Sequence, residues 1–471
     1  MDSLQPTSER YVSSRNRQKS INMIILFCIN LLNYMDRSTL PGLLGDIKSY
    51  FEINNTCAGL ISTVFICTYM LLAPVFGYLG DRYNRRLLMA LGVTIWSAFT
   101  LLGSFARPSH LIWFFFCRGM VGIGEASYSC IAPSVIGDLY EGAMRTKMLA
   151  IYYVAIPLGS GLGYIIGSKV AILMNSWQWA LRVTPVLGLI AVLLLLFVVK
   201  EPNRGLADNA TQTRKSTYRE DIMFLLKNKT YLLTTASFTA VAFVIGSVTW
   251  WSVSYMTLAH KLTSNDESNV ALYFGIVTCL GGLFGVIFGS ISSTRLKQRT
   301  QRADPLVCGF SVLFSVPCMF ISIYLANYSV TVAWTFIFLT TMSVSFTWPL
   351  IADIILFVVV PAKRATAEAV QILISHLFGD ASSPYIIGQI SDLIESGYKG
   401  NTTTLQQFLA MRNSLFLNPF IAVLGGLGFL VTSFYIKSDR RNAELLMHNK
   451  DELSESECID TSKSNQIMHH D

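Results

Sequence analysis

Long apolar runs, each about the length of a bilayer crossing, alternate with short polar segments along this chain. Clear examples cover 21–44, 177–199, 231–258, 270–293 and 414–436. A spanning helix needs about 20 consecutive, mostly apolar residues. The runs lack the polar face that a surface helix of a soluble protein presents. The pattern predicts an all-α polytopic membrane protein with twelve transmembrane helices. They fall near 21–46, 57–79, 87–105, 110–139, 148–170 and 177–199, then near 231–258, 270–293, 305–325, 329–359, 365–393 and 414–436. This gives two six-helix bundles, 21–199 and 231–436. A polar linker covers 200–230, and polar tails cover 1–20 and 437–471. The composition of the second tail is that of a disordered segment.

Charge orients the spans. Charged residues make up 14% of the chain, against roughly 25% in soluble domains. The net charge is +7. About 27 of the 36 Lys and Arg residues fall in the tails, the linker and the loops on the side of the termini, and about 7 fall in the opposite loops. The positive-inside rule then puts both termini in the cytoplasm. The same distribution explains the basic balance without nucleic acid. Sequons at Asn54, Asn327 and Asn401 fall in loops on the non-cytoplasmic side, whereas those at Asn209 and Asn228 fall in the linker. Residues 1–20 have no apolar h-region, which points to the first span as the insertion signal. The nine cysteines show no pairing or metal-ligand spacing, so no disulfide, metal or cofactor is expected.

The halves repeat weakly. Gly163-Tyr164-Ile165-Ile166-Gly167 returns as Pro384-Tyr385-Ile386-Ile387-Gly388. Pro133 with Asp138 returns as Pro349 with Asp353, and Arg145 opens span five as Arg364 opens span eleven. Paired repeats are the architecture of alternating-access transporters, whose central site lies at the repeat interface.

Ionisable residues within spans are costly, about 2.5–3.5 kcal/mol each on insertion scales, and need a partner or a wet cavity. Span one carries Asp36 and Arg37, span four carries Arg118 and Glu125, and span eleven carries His376 and Asp380. Asp36, Arg37 and Arg118 sit at similar depth, and Glu125 lies about 10 Å further along its helix. Two readings stand: a structural ion-pair cluster joining spans one and four, or an anion site of arginines with carboxylates and a histidine exchanging protons. His376 and Asp380 lie in mid-helix and do not have acyltransferase spacing, and the chain has no Walker A loop. The chain therefore reads as a transporter and not an enzyme.

The run Gly77-Tyr78-Leu79-Gly80-Asp81-Arg82-Tyr83-Asn84-Arg85-Arg86 resembles the loop signature of the major facilitator superfamily, with Asn84 where glycine is usual. The resemblance implies a cytoplasmic gate of Gly77, Asp81, Arg82, Arg85 and Arg86, with Asp138 as the acid at the end of span four. Glycine there is expected to allow close helix approach. Leu31-Leu32-Asn33-Tyr34-Met35-Asp36-Arg37, Val121-Gly122-Ile123-Gly124-Glu125-Ala126-Ser127-Tyr128-Ser129, Ala303-Asp304-Pro305-Leu306-Val307-Cys308 and Ser375-His376-Leu377-Phe378-Gly379-Asp380-Ala381-Ser382-Ser383-Pro384 are similar to the spinster family of that superfamily.

This resemblance implies a monomeric, proton-coupled carrier of lysophospholipid or sphingolipid, such as sphingosine-1-phosphate. It implies the late endosome or lysosome membrane, with the plasma membrane as the alternative. Asn30, Tyr34, Arg37, Arg118, Ser129 and Trp348 would line the cavity, and Asp36, Glu125 and His376 would couple protons. Trp250, Trp251, Phe346 and Trp348 offer either an apolar wall for a lipid chain or ordinary helix packing. Thr340-Thr341-Met342 stands where close relatives often carry an acid. A carrier of a small polar anion or sugar, and a non-transporting receptor or scaffold, are the alternatives.

Overall fold

The structure, a computed structural model, describes residues 5–201, 218–263, 269–360, 363–398 and 402–467. The first half holds α1 (Gln5–Gly42), α2 (Leu44–Phe51), α3 (Asn55–Arg82), α4 (Arg85–Gly103), α5 (Leu111–Leu139), α6 (Gly142–Leu173) and α7 (Trp177–Phe197). A short α8 (Tyr218–Lys227) lies in the linker. The second half holds α9 (Lys229–Thr263), α10 (Val270–Lys297), α11 (Ala303–Leu325), α12 (Val330–Ser345), α13 (Thr347–Val358), α14 (Arg364–Ser375), a π-helical turn (His376–Asp380), α15 (Ser382–Ser396), α16 (Thr404–Leu415) and α17 (Leu417–Ile467). The described residues contain no strand.

Among the described residues, nine helical passes are long and apolar enough to cross a membrane. Three further long passes are α1, α5 and the α14–π–α15 unit, and these carry the intramembrane ionisable residues. The total is consistent with twelve crossings. Spans ten and eleven, each read from sequence as one helix, are interrupted. Span ten breaks at Phe346 between α12 and α13. Span eleven widens into the π turn, where Ala381 N–H donates to the His376 carbonyl at 2.8 Å. The 437–467 part of the tail, which composition marks as disordered, continues α17 instead. Its Glu, Leu, Met and Lys content favours helix, and Arg440 pairs with Glu444 one turn on at 2.6 Å.

Local sequence explains the helix starts. Asn54 accepts from Cys57 N–H at the start of α3. Asn84, the departure from the signature glycine, is the N-cap of α4 and accepts from Leu87 N–H at 3.1 Å. Thr403 and Gln406 form a capping box on α16.

The internal repeat is visible in how the second-half and first-half helices end. Arg145 Nε donates to the carbonyls of Gly137 and Tyr140 at the end of α5, at 3.1 and 3.2 Å. Arg364 donates to Leu356 and Val359 at the end of α13, at 2.7 and 3.1 Å. Both arginines reach back eight and five residues to carbonyls that a helix end leaves without partners.

The two halves meet mainly toward the end opposite the termini, here the far end. Gly161 of α6 and Gly275 of α10 lie so close that a Cβ on either would come within 2.6 Å of the other's carbonyl oxygen. Thr63 Oγ1 donates to the Ala381 carbonyl at 2.6 Å, and Tyr164 Oη donates to the Thr249 carbonyl at 2.7 Å. One buried cluster is continuous across the join, from Leu44, Ile47 and Tyr164 to Trp251, Phe274 and Phe408. Toward the termini, Leu71, Val75 and Tyr78 of α3 and Met144 and Ile151 of α6 are exposed. The halves are closed at the far end and parted at the end that carries the termini.

Candidate functional site

Successive residues of a helix point about 100° apart, so α1 sends Asp36 and Arg37 in different directions. Asp36 turns into the first half and is fully buried. Its carboxylate accepts from Trp96 Nε1 at 3.0 Å and Thr100 Oγ1 at 3.3 Å on α4, and from Thr184 Oγ1 on α7. Arg118 Nη1 of α5 lies 3.9 Å from the same carboxylate. Asp36 thus ties four helices together.

Arg37 turns toward the second half. Its Nη2 lies 3.6 Å from Asp380 Oδ2 in the π turn. Its guanidinium also lies 5.0, 5.6 and 5.9 Å from the ring centres of Phe65, Tyr69 and Tyr34. The Arg118 guanidinium lies 5.1 Å from the Phe65 ring. One buried phenylalanine therefore receives both cations, an arrangement that favours guanidinium over ammonium. On the other side, His376 Nδ1 lies 3.2 Å from Asp380 Oδ2. Arg37, Asp380 and His376 form a chain across the join between the halves.

Glu125 is fully buried on α5, in the electrostatic field of Arg37, Asp36 and Arg118. Its one polar neighbour besides these charges is the Asn33 side-chain amide, which stands within loose hydrogen-bonding reach. This differs sharply from Asp36, whose oxygens are filled.

The remaining cavity residues separate. Tyr34 and Ser129 are half-buried around the arginines, and Ser129 meets the Tyr69 hydroxyl. Asn30 is buried and donates to the Tyr152 carbonyl at 3.0 Å, joining α1 to α6. Trp348 is exposed and stands edge-on to Phe238. Trp250 and Trp251 belong to the buried core of the second half, where Trp251 Nε1 donates to the Pro384 carbonyl at 3.0 Å. Of the two readings for those tryptophans, packing is the one realised. An open apolar groove of about 350 Å³ runs on the surface of the second half, lined by Leu233, Ala236, Phe243, Phe378, Ile421 and Leu424, of which Phe378 and Leu424 are exposed. The π turn separates this groove from the charged cluster, with Asp380 turned inward against Arg37 and Phe378 turned outward in the groove wall.

The loop signature lies at the end that carries the termini. Arg85 pairs with Asp138 at the end of α5 and donates from Nε to the Gly80 carbonyl at 3.2 Å. Its backbone N–H is bound by Glu201 at 3.1 Å. Arg86 donates to the Val199 carbonyl at 3.4 Å, and Arg82 stacks on Tyr78 at 4.2 Å. The Asp81 side chain lies outside the described residues. The expected close approach at Gly77 is absent in this arrangement: an added Cβ would meet nothing within 4 Å. The halves are parted there, and the tight position is Gly80, against Ile131. In the second half Lys297 repeats the Arg85 role, 2.8 Å from Asp353 and 3.0 Å from Asp304.

Sequence reasoning missed Phe65, Trp96, Thr100 and Thr184. Aromatic and hydroxyl residues are common in apolar helices, and nothing in their spacing marks them as partners of a buried charge. Asp380 stood out only as a helix-face neighbour of His376.

Comparison with known proteins follows this geometry. The sequence matches the Major Facilitator Superfamily over residues 26–384. It is 47% identical to protein spinster homolog 3 of Danio rerio, covering 94% of this chain and 90% of the relative. It is 46% identical to protein spinster homolog 1 of Homo sapiens over 91% of this chain and 83% of the relative. It is 43% identical to protein spinster of Drosophila melanogaster over 92% and 79%. Among solved structures, the fold resembles a bacterial homolog of the human lysosomal transporter spinster in its inward-facing, unoccupied conformation. That match has a TM-score of 0.80 and 21% identity, and it covers 90% of this chain and 98% of the other. A D-xylose–proton symporter matches with a TM-score of 0.67 and 16% identity, over 88% and 96%.

Proposed function

We propose the cargo and its coupling from one premise: the chain belongs to the spinster family of the major facilitator superfamily and is a membrane transporter. The cargo is a single-chain anionic or zwitterionic lipid, a lysophospholipid or a sphingolipid such as sphingosine-1-phosphate. The observation that carries this is the arginine pair, Arg37 and Arg118, whose guanidinium groups meet on the Phe65 ring and suit a phosphate. Arg37 and Arg118 receive the phosphate, with Tyr34 and Ser129 around them. A sugar has no use for two cations, so that alternative has less support.

Proton coupling is assigned to Glu125 and to the His376–Asp380 pair. Glu125 is the fully buried carboxyl group that faces Arg37 and Arg118 with Asn33 as its neighbouring amide, so a proton on it changes the charge that the arginine pair meets. Protonation of Asp380 or His376 alters the chain that reaches Arg37 across the join. Asp36, grouped by sequence with the coupling residues, is better suited to anchoring Arg118, because every contact it makes would be weakened by a proton. The alternating-access cycle then runs with both termini in the cytoplasm, and the parted end faces inward. The name of the bacterial structure supports that conformation and a late endosomal or lysosomal membrane.

Purified protein in liposomes tests the reading. Uptake of labelled lysolipid should rise with a pH gradient and be inhibited by competitors according to chain length. It should fall strongly in Arg118→Ala. Equal uptake in Arg118→Ala removes the phosphate assignment, and indifference to chain length removes the lipid.

A further inference from the structure

The far end holds a contact that the transport site does not use. The second spanning helix of the first half, α3, begins there, and its first N–H groups have no partner within the helix. Asp392, on α15 of the other half, supplies one. Its Oδ1 accepts from Asn55 N–H at 3.0 Å, and its Oδ2 accepts from Thr56 N–H at 2.7 Å and from Thr56 Oγ1 at 2.5 Å. A carboxylate at a helix N-terminus is favoured by both hydrogen bonding and the helix dipole. The neighbouring Ser391 accepts from Asn55 Nδ2 at 3.3 Å. Backbone packing allows the contact: a Cβ on Gly59 would come within 2.2 Å of the Pro384 carbonyl oxygen, and one on Gly388 within 2.4 Å of the Asn55 oxygen.

The internal repeat puts a weaker counterpart on the other side. There Lys169, near the end of α6, donates to Asn269, the residue just before α10, at 2.8 Å. In both places the last turns of one half's fifth span hold the first turn of the other half's second span. Of the two, the Asp392 contact is the one that is multidentate and directed at backbone N–H groups. Lys48 lies close by, bound to Asn55 and within reach of the charges of Glu395 and Asp392. Burial holds its ammonium below the usual lysine range. The far-end seam is therefore not a smooth apolar contact that slides apart. Of its polar contacts, the Asp392 carboxylate makes the most bonds, to groups that must find new partners when the halves separate.

We propose that Asp392 is the latch of the far gate: its carboxylate caps α3 across the join, and its release sets how readily the far end opens. This rests on the reading of the protein as an alternating-access transporter. The cost of release falls on one step of the cycle, so weakening the latch shifts the balance of conformations without touching the cargo site.

The test uses the full-length protein in liposomes, without cargo, with spin labels on cysteines at exposed far-end positions Ser109 and Thr404 and other accessible cysteines replaced. Inter-label distances are measured by pulsed electron resonance for the parent, Asp392→Asn, Thr56→Val and Gly59→Trp. The wedge Gly59→Trp defines the distance of the parted far end. Asp392→Asn is expected to raise the population at that distance at least threefold over the parent. Thr56→Val, which removes one of the three bonds, is expected to raise it by less. Should Asp392→Asn fail to reach the membrane, Thr56→Val alone decides. A parent-like distribution in the latch variants beside a lengthened wedge overturns the latch. No lengthening in any variant, the wedge included, overturns alternating access itself and the latch with it.

Discussion

Arg37 and Asp380 meet across the join between the two halves, 3.6 Å apart, one from the first spanning helix and the other from a π turn in the eleventh pass. A π turn is rare and recurs at functional sites. Here it sets the carboxylate at the level of the arginine and leaves His376 on its other flank. The guanidinium has three aromatic rings around it. Its planar shape therefore matters as much as its charge.

Arg37→Lys should consequently reduce transport although it keeps the charge. Losing the ring contacts is worth about 1–2 kcal/mol at a desolvated site, which is about 5- to 30-fold in rate or affinity. Initial uptake rates in liposomes, corrected for the amount of reconstituted protein, measure it. An unchanged rate would mean that only the charge is used.

The crossing helices and the depth match between Asp36 and Arg118 are legible in the sequence, because bilayer thickness fixes run length and helix rise fixes depth. The Arg37–Asp380 pair is not legible. It depends on how two halves far apart in sequence face each other, and on a local widening of the helix that residue propensities do not encode. The donors to Asp36 are hidden for a related reason. Trp96, Thr100 and Thr184 carry no charge and look like any residue of an apolar helix. Asn84 is an intermediate case. It departs from the signature glycine, yet asparagine is among the best N-cap residues, and it caps α4.

Asp36 and Glu125 should part company when neutralised. Asp36→Asn leaves the buried Arg118 without its carboxylate, and breaking a buried pair costs about 3–5 kcal/mol. Thermal unfolding in detergent should therefore shift down clearly. Glu125→Gln removes a buried charge whose one polar neighbour besides Asp36 and the arginines, the Asn33 amide, can bond a glutamine as well. Its melting temperature should be unchanged or higher, while the stimulation of uptake by a pH gradient disappears. The opposite assignment follows if Glu125→Gln melts early and retains pH dependence.

Arg145 and Arg364 give a prediction from the repeat. Each binds two carbonyls at the end of the preceding helix in the other's image. Alanine at either should cost about 1 kcal/mol, the usual net value of such hydrogen bonds. The two losses should add within about 0.5 kcal/mol in the double variant, since the residues share no partner. Melting curves of the three variants check this. Strong non-additivity would mean that the two helix ends communicate.

Gly77 separates what stability needs from what movement needs. In the arrangement described, a Cβ at Gly77 meets nothing within 4 Å, although the residue lies on α3 in the loop signature. Replacing a mid-helix glycine with alanine generally stabilises by about 0.5–1 kcal/mol. Gly77→Ala should therefore melt no lower than the parent, and Gly77→Leu should stay within about 0.5 kcal/mol of it. Alternating access nevertheless requires the parted end to close, and closure brings α3 against the other half where Leu71, Val75 and Tyr78 now stand exposed. A leucine at position 77 adds bulk on a surface that must then become an interface. The variant should fold normally, bind cargo from the open end, and lose most of its transport. Binding and flux measured on the same preparation test this. Full flux from Gly77→Leu would show that the closing surface runs elsewhere on α3.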